Sequence, residues 1–509
     1  MLVGDIVRLN GKFRGGDTAF IIGDLHLTYG EVNEKVDAVA AALIAADVQI
    51  GDRVAVLGKN TLEYILLYFA TAKIGALLVP MNFWHRAAEH DYTIEDSDPK
   101  LLFAEAEFVP LVNAGGRRLV TLPFSGDESS WNDFMADGVS SQPARAIVPD
   151  DAHMILYTSG TTGRPKGAVL THRRTMDDAF YLASVFGPRR TDTFINYFPP
   201  FHVGNWDHMK LFLVVGARVV ILRQFDSTEV LRAIERERIT VILGVPTMLH
   251  DLLSNDEFER TDKSSIRLVY YGAYDPSDVM KRTADAFGVT AGRTEMAHIY
   301  GLTESGPFST YCAPHEIMDH WGSIGLPIPG VDVELRDEEG NVVPRGAPGE
   351  LCILGPSMTG YWNNPEATAA ALEGGWLHTG DVCVQDDAGF LYIVDRKKDM
   401  IRSGGQNIYS KTVEDCLLLH PAVQEVGVIG LPDDVYEERV CAIIVLREGF
   451  LGDDQLKEEI QQYVRTSIAG YNMPRTIHFT DSLPRTMIGK IQKHILREQY
   501  GSMFDSAKK

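Results

Sequence analysis

Apolar positions along the first part of the chain alternate between helical spacing and short unbroken runs. Thr28-Tyr29-Gly30-Glu31 has the capping-box pattern ahead of Val32, Val36, Val39, Ala40 and Leu43, which predicts a helix. After the turn Gly51-Asp52 comes a short strand, Val54 to Leu57, then a helical stretch from Leu62 to Ala72 and an apolar run, Ala76 to Val79. Similar runs return at Leu101 to Phe103, Arg218 to Leu222, Thr240 to Leu243 and Arg267 to Tyr271. Continuous apolar strands between helices predict a parallel sheet covered on both faces. From Pro329 to Gly360 the pattern changes: Val331, Val333 and Leu335 alternate with polar residues ahead of the turn Glu338-Glu339-Gly340-Asn341, as in antiparallel hairpins. The apolar strand Leu391 to Val394 then runs into Asp395-Arg396-Lys397-Lys398-Asp399, where we place a boundary between domains 1–396 and 397–509. The second unit reads as α+β, with a helix after Ser410, strands near Val423–Ile429 and Val440–Leu446, and a helix from about Asp453.

Composition narrows the class. A chain of 509 residues, 45% hydrophobic and 23% charged, is long enough for more than one core and is not of disordered composition. Its net charge of −22 argues against a nucleic-acid partner. Cys312, Cys352, Cys383, Cys416 and Cys441 show neither zinc-finger nor CxxC spacing, which predicts buried thiols in a reducing compartment. The first residues lack a basic stretch followed by an apolar one, and the apolar segment Tyr64 to Met81 is interrupted by Lys73, Gly75 and Pro80. We therefore expect a cytoplasmic protein without a transmembrane segment. Oligomeric state stays open, a homodimer included.

One segment carries specific chemistry. Thr158-Ser159-Gly160-Thr161-Thr162-Gly163-Arg164-Pro165-Lys166-Gly167 follows a predicted strand ending at Leu156-Tyr157. Its glycines let backbone N–H groups turn toward an anion, while its hydroxyls and lysine add donors and charge. This suits a polyphosphate. It is not a Walker A loop, since Gly167 and not Ser or Thr follows Lys166, and it lacks the dinucleotide glycine spacing.

The segment Tyr157 to Gly167 resembles the signature loop of the acyl-adenylate-forming superfamily, and the resemblance continues in order along nearly the whole chain. Pro200-Phe201-His202 is similar to the histidine motif, Tyr300-Gly301-Leu302-Thr303-Glu304 to YGxTE and Thr379-Gly380-Asp381 to TGD. Asp395 to Asp399 with Ser403-Gly404-Gly405 resembles the hinge and its following loop. Pro484 to Lys490 resembles the C-terminal lysine motif. The resemblance implies an α/β fold: a large N-terminal domain of stacked sheets plus an antiparallel, barrel-like subdomain, and a small mobile α+β C-terminal domain carrying the catalytic lysine.

It also implies the chemistry. A carboxylate attacks the α-phosphate of ATP, pyrophosphate leaves, and the acyl group of the acyl-AMP passes to a thiol. Lys490, Glu304 and His202 are then the catalytic candidates, with Lys490 reaching the α-phosphate, Glu304 and Thr158 holding Mg²⁺, and His202 gating the acyl site. Thr158 to Gly163, Lys166, Gly272, Ala273, Tyr300, Gly301, Thr303, Asp381, Ile393, Arg396 and Lys490 would contact ATP, with Asp381 and Arg396 on the ribose hydroxyls. His202, Asn205, Trp206, Tyr274, Ile299 and Leu302 would line the acyl pocket; Ser403, Gly404 and Gly405 would meet coenzyme A; Lys398 would be the hinge. Without the resemblance, Glu304 reads as a helix-start glutamate, Asp381 as a turn residue and His202 as a core histidine.

Three stretches depart from the family pattern. Val203-Gly204-Asn205-Trp206-Asp207 carries bulk where relatives have small residues, with Trp206 adding an N–H donor. Gly272-Ala273-Tyr274-Asp275 replaces a Gly-Ala-Pro-like stretch, and His298-Ile299 stands where relatives have Gln-Gly. These predict a restricted acyl pocket. The sequence thus points to an AMP-forming acyl-CoA synthetase acting on a fatty or other small to medium organic acid with ATP, Mg²⁺ and coenzyme A. The alternatives are a stand-alone adenylation enzyme loading a carrier protein, an aryl-acid–CoA ligase, a luciferase-like oxygenase and a non-catalytic nucleotide-binding scaffold.

Overall fold

A computed structural model describes residues 1–123, 129–136, 146–158, 164–273, 279–433, 435–485 and 491–506. The local signals become elements as the side chains require. Thr28 caps the helix Tyr29–Ala45, accepting from the Glu31 N–H while Glu31 reaches back to the Thr28 backbone. Thr61 caps the helix Leu62–Ile74, which ends at Gly75 with φ of 78°.

The expected strand–helix alternation builds two mixed sheets rather than one parallel sheet. The nine-stranded sheet runs, in spatial order, through 326–327, 306–312, 295–302, 268–272, 241–244, 193–196, 218–221, 18–22 and 25–28. The seven-stranded sheet runs 360–361, 166–171, 152–158, 77–81, 53–57, 101–105 and 118–122. Both are parallel in the middle and antiparallel at an edge. The antiparallel module predicted after Pro329 is a four-stranded sheet of 332–336, 349–354, 377–385 and 391–396. The helices between the two large sheets bury one continuous core that includes Tyr68, Phe69, Trp206 and Phe212.

Beyond the charged segment, strands 401–403, 406–408, 423–433, 437–446 and 476–479 form a separate sheet with its own core around Val413, Val428, Ile444 and Ile460. Helices Ser410–Leu418 and Asp454–Ser467 cover it, the latter capped by Asp453. All five cysteines are buried and free. Among the described residues, no helix is long and apolar enough to cross a membrane.

Candidate active site

The phosphate-loop segment joins two antiparallel strands, Ala152–Thr158 and Lys166–Thr171, with Thr158 opposite Lys166. Ser159, Gly160, Thr161, Thr162 and Gly163 lie outside the described residues. The flanks are firmly held. Tyr157 donates to Asp96 Oδ2 at 2.5 Å, Tyr92 donates to the Pro165 carbonyl at 3.1 Å, and the Arg164 guanidinium lies 5.5 Å from the centre of the Tyr92 ring. Lys166 Nζ lies 5.1 Å from the centre of the Tyr361 ring.

Glu304 is not at a helix start. It occupies the turn between strands Glu295–Leu302 and Gly306–Cys312, because the edge of the nine-stranded sheet folds back on itself there. Gly306 makes that turn at φ of 86°, where an added Cβ would sit 2.6 Å from Asp178 Oδ1. The turn delivers the Glu304 carboxylate to the edge of the other large sheet. Thr158 Oγ1 donates to Glu304 Oε1 at 3.3 Å, and the Tyr361 hydroxyl donates to the same oxygen at 2.9 Å. Hydroxyl and carboxylate oxygens without sulfur or imidazole make a hard donor set suited to Mg²⁺, which completes its shell with water and phosphate oxygens.

A second polar group forms where the antiparallel sheet meets strand 295–302. Asp381 stands opposite Arg396 in the register, and Arg396 Nε lies 2.5 Å from Asp381 Oδ1. The Tyr300 hydroxyl donates to Asp381 Oδ2 at 2.5 Å, and burial raises the Tyr300 phenol well above its ordinary value. Gly380, at φ of 72°, makes the bend before Asp381, and its N–H donates to Glu350 Oε1 at 3.1 Å. Glu350 also pairs with Lys397 at 2.9 Å. Burial works against the Glu350 charge, but Lys397 and His378 overcome it and hold the carboxyl below its usual range. Ile393, half-buried, pairs with Cys383 on the same two strands.

Gly272 ends the strand next to Ile299, and Ala273 follows at φ of 74°, a left-handed conformation costing a non-glycine residue about 1–2 kcal/mol. Tyr274 lies outside the described residues. Ile299 is buried, while Gly301, Leu302 and Thr303 are half-buried at the end of their strand.

On the opposite side, His202 caps the helix Val203–Leu213, its Nδ1 accepting from the Gly204 N–H at 3.0 Å. Every residue of that helix is buried. Trp206 stacks on Tyr68 with centroids 4.2 Å apart, and its indole N–H donates to the Pro200 carbonyl at 2.6 Å. The expected donor is therefore engaged by the chain itself. The Asn205 amide donates to Asn60 Oδ1 at 2.6 Å, and its oxygen accepts from Asn196 at 3.2 Å.

Beneath this helix lies a cluster that the motifs did not announce. Arg174 donates to Asp207 Oδ2 at 3.0 Å and to the Thr303 carbonyl at 3.2 Å, while Lys210 pairs with Asp207 and donates to the Thr175 carbonyl at 3.0 Å. Burial opposes the Asp207 charge; Lys210 and Arg174 outweigh it and keep that carboxyl below its usual range. Burial, reinforced by Asp207, pushes the neighbouring Asp178 up to about 7. His208, buried among Phe198, Tyr270 and Phe308, is driven by burial down to about 3 and is neutral at pH 7. The Asp207 and Lys210 spacing was readable as one helix face. Arg174 and Tyr361 had no such signal, because their partners are remote in sequence.

In the C-terminal unit, Ser403, Gly404 and Gly405 form the turn between strands 401–403 and 406–408, the glycines at φ of 59° and 76°. The exposed Lys398 offers its carbonyl to Arg497 at 3.5 Å. Asp395 accepts from Ser410, which also receives Lys493 Nζ at 2.7 Å. Lys490 lies outside the described residues, and the helix Lys493–Ser506 begins shortly after it. The sequence-predicted residues thus come together as Thr158 with Glu304 and as Tyr300 with Asp381 and Arg396.

This two-part architecture is that of the adenylate-forming enzymes. Residues 8–362 match the AMP-binding enzyme family, and residues 412–490 match the AMP-binding enzyme C-terminal domain. A feruloyl-CoA synthase of Amycolatopsis sp is 37% identical over 491 residues, covering 95% of this chain and 96% of that protein. An indoleacetate–CoA ligase of Aromatoleum aromaticum is 34% identical, with 95% of each chain covered. The solved structure of an anthranilate CoA ligase in complex with anthranoyl-AMP superposes with a TM-score of 0.87 at 28% identity, over 98% of this chain and 97% of that one. The chain belongs to the AMP-binding enzyme family, in its AMP-forming acid–CoA ligase branch.

Proposed function

We propose that this ligase activates a compact organic acid, with aryl-bearing acids as the preferred class, to its acyl-AMP and transfers the acyl group to coenzyme A. The observation that carries it is the convergence of the Thr158–Glu304 pair and the Tyr300–Asp381–Arg396 group, contributed by three different sheets. Asp381 and Arg396 would take the ribose hydroxyls, while Lys166 and the loop before it would take the phosphates. Thr158 and Glu304 would hold Mg²⁺, which when bound offsets charge on the polyphosphate. Lys490 would approach the α-phosphate and the attacking carboxylate, where a preorganised cation stabilises developing charge.

The smaller unit, residues 397–509, would rotate at Lys398 between the half-reactions, bringing either Lys490 or the Ser403–Gly405 turn to the site. The aryl preference draws on two of the relatives and on the bulk of Trp206 and Ile299, both buried beside the His202 motif or the Gly272 strand end. His202 would gate the acyl site. We assign the enzyme to the cytoplasm; light scattering decides whether it works as one copy or two.

Pyrophosphate release over a panel of carboxylic acids, with and without coenzyme A, tests the proposal. Release should be strongest with aryl acids, and AMP should turn over only when coenzyme A is present. A preference for chains above about sixteen carbons would overturn the compact-acid assignment, and turnover only with a carrier protein would overturn the acceptor. Lys490→Ala should slow acyl-adenylate formation by ~10²–10³-fold while leaving reaction of a supplied acyl-adenylate with thiol near normal.

A further inference from the structure

We propose that Tyr361 is a positioning residue for the adenylation half-reaction: its hydroxyl orients the Glu304 carboxylate and its ring bounds Lys166. This rests on the roles proposed above for Glu304 and Lys166.

The backbone around Tyr361 is held from several sides. Gly360 and Tyr361 pair with Val169 and Ala168 at the edge of the seven-stranded sheet, directly beside the Lys166 hairpin. The Tyr361 N–H donates to Thr368 Oγ1 at 2.8 Å, and the next residue, Trp362, donates its N–H to the Gly167 carbonyl at 2.7 Å and its indole N–H to the Asp96 carbonyl at 3.0 Å. Gly360 sits against Thr368 so closely that a Cβ there would fall 2.7 Å from Thr368 Cγ2. A side chain leaving so constrained a segment has little freedom in where its tip arrives.

The tip reaches one of the two groups that matter for phosphate chemistry, and the ring faces the other. The hydroxyl donates to Glu304 Oε1 at 2.9 Å, the same oxygen that accepts from Thr158 at 3.3 Å. Two donors converge on that one oxygen and hold it in place, while neither of them engages Oε2. The ring face lies 5.1 Å from Lys166 Nζ, within the range of a cation–π contact. Tyr361 therefore sets the separation between the metal-binding acid and the phosphate-binding lysine. It needs no contact with substrate to do so.

The phenol and the ring can be removed separately. Tyr361→Phe keeps the ring and deletes only the hydroxyl, whose bond is to an ionised acceptor. The measurement is calorimetric binding of a non-hydrolysable ATP analogue to the full-length protein across a Mg²⁺ series, alongside pyrophosphate exchange. Tyr361→Phe should raise the half-saturating Mg²⁺ concentration by about tenfold in both assays, with the KM for acid and the melting temperature near wild type. Tyr361→Leu should in addition weaken analogue binding several-fold at saturating Mg²⁺, because the ring beside Lys166 is lost. Glu304→Gln is the reference. If it raises the Mg²⁺ requirement and Tyr361→Phe does not, the positioning role is wrong and the proposed function stands. If neither variant changes the Mg²⁺ requirement, the Glu304 assignment itself fails. A lowered melting temperature in Tyr361→Phe with wild-type Mg²⁺ dependence reduces Tyr361 to a packing residue and overturns the proposal.

Discussion

The Asp381 group and the cluster beneath helix Val203–Leu213 are both rich in charge, yet they are built on opposite terms. At the first, Arg396 is 40% exposed and its partner Asp381 is buried. At the second, Arg174, Asp207 and Lys210 are all essentially sealed from water, and each polar partner is another part of the chain. A charge at the edge of solvent can exchange water for a ligand at small cost. A sealed charge needs its partner, because its desolvation is otherwise uncompensated. The first region is therefore suited to recognition. The second supports the Glu304 turn through the Thr303 carbonyl and fixes the helix that His202 caps.

Breaking the sealed cluster should have the largest effect. Asp207→Leu leaves Arg174 and Lys210 buried without their shared carboxylate, and should cost about 3–5 kcal/mol of stability. Urea or thermal unfolding measures it; a loss below about 1 kcal/mol would mean that water reaches the cluster. Next comes the group at the edge of solvent, where buried Asp381 meets the more exposed Arg396. Asp381→Asn should raise the KM for ATP by about 10–100-fold, as expected for a charge-assisted contact, while moving the melting temperature far less than Asp207→Leu. An unchanged KM for ATP would remove Asp381 from the ribose site.

The third effect is a dependence on pH. Asp178 faces Asp207, Arg174 and Lys210, and its folded-state pKa of about 7 exceeds the ordinary 3.8. Between these values the folded protein holds a proton that the unfolded chain releases. The stability from this group is therefore complete at about pH 4 and is lost as pH rises through 7. Asp178→Asn should thus gain on the wild type by about 3 kcal/mol from pH 4 to pH 7. Parallel melting profiles would show that Asp178 titrates normally.

Much of the architecture was legible because it is local. The capping box at Thr28 and Glu31, the helix from Leu62, and the helices after Ser410 and Asp453 all formed where short-range spacing placed them. Glu304 reads locally like a helix start, yet it sits in a turn that exists only through pairing of 295–302 with 306–312. The N–H of Trp206 was expected to serve the pocket, but the Pro200 carbonyl six residues earlier takes it. That contact depends on the entry angle of the His202-capped helix, which periodicity does not encode.

The sequence alone determined which chemical groups are available and in what order, because each motif is a contiguous run of residues. It also determined the division into an α/β part and a smaller α+β part, because helical and alternating patterns are local properties of the chain. Tertiary structure decided which of those groups meet. Tyr361 reaches Glu304 across 57 residues and Asp381 reaches Tyr300 across 81. Such meetings are set by sheet order and strand register, which result from packing the whole chain at once.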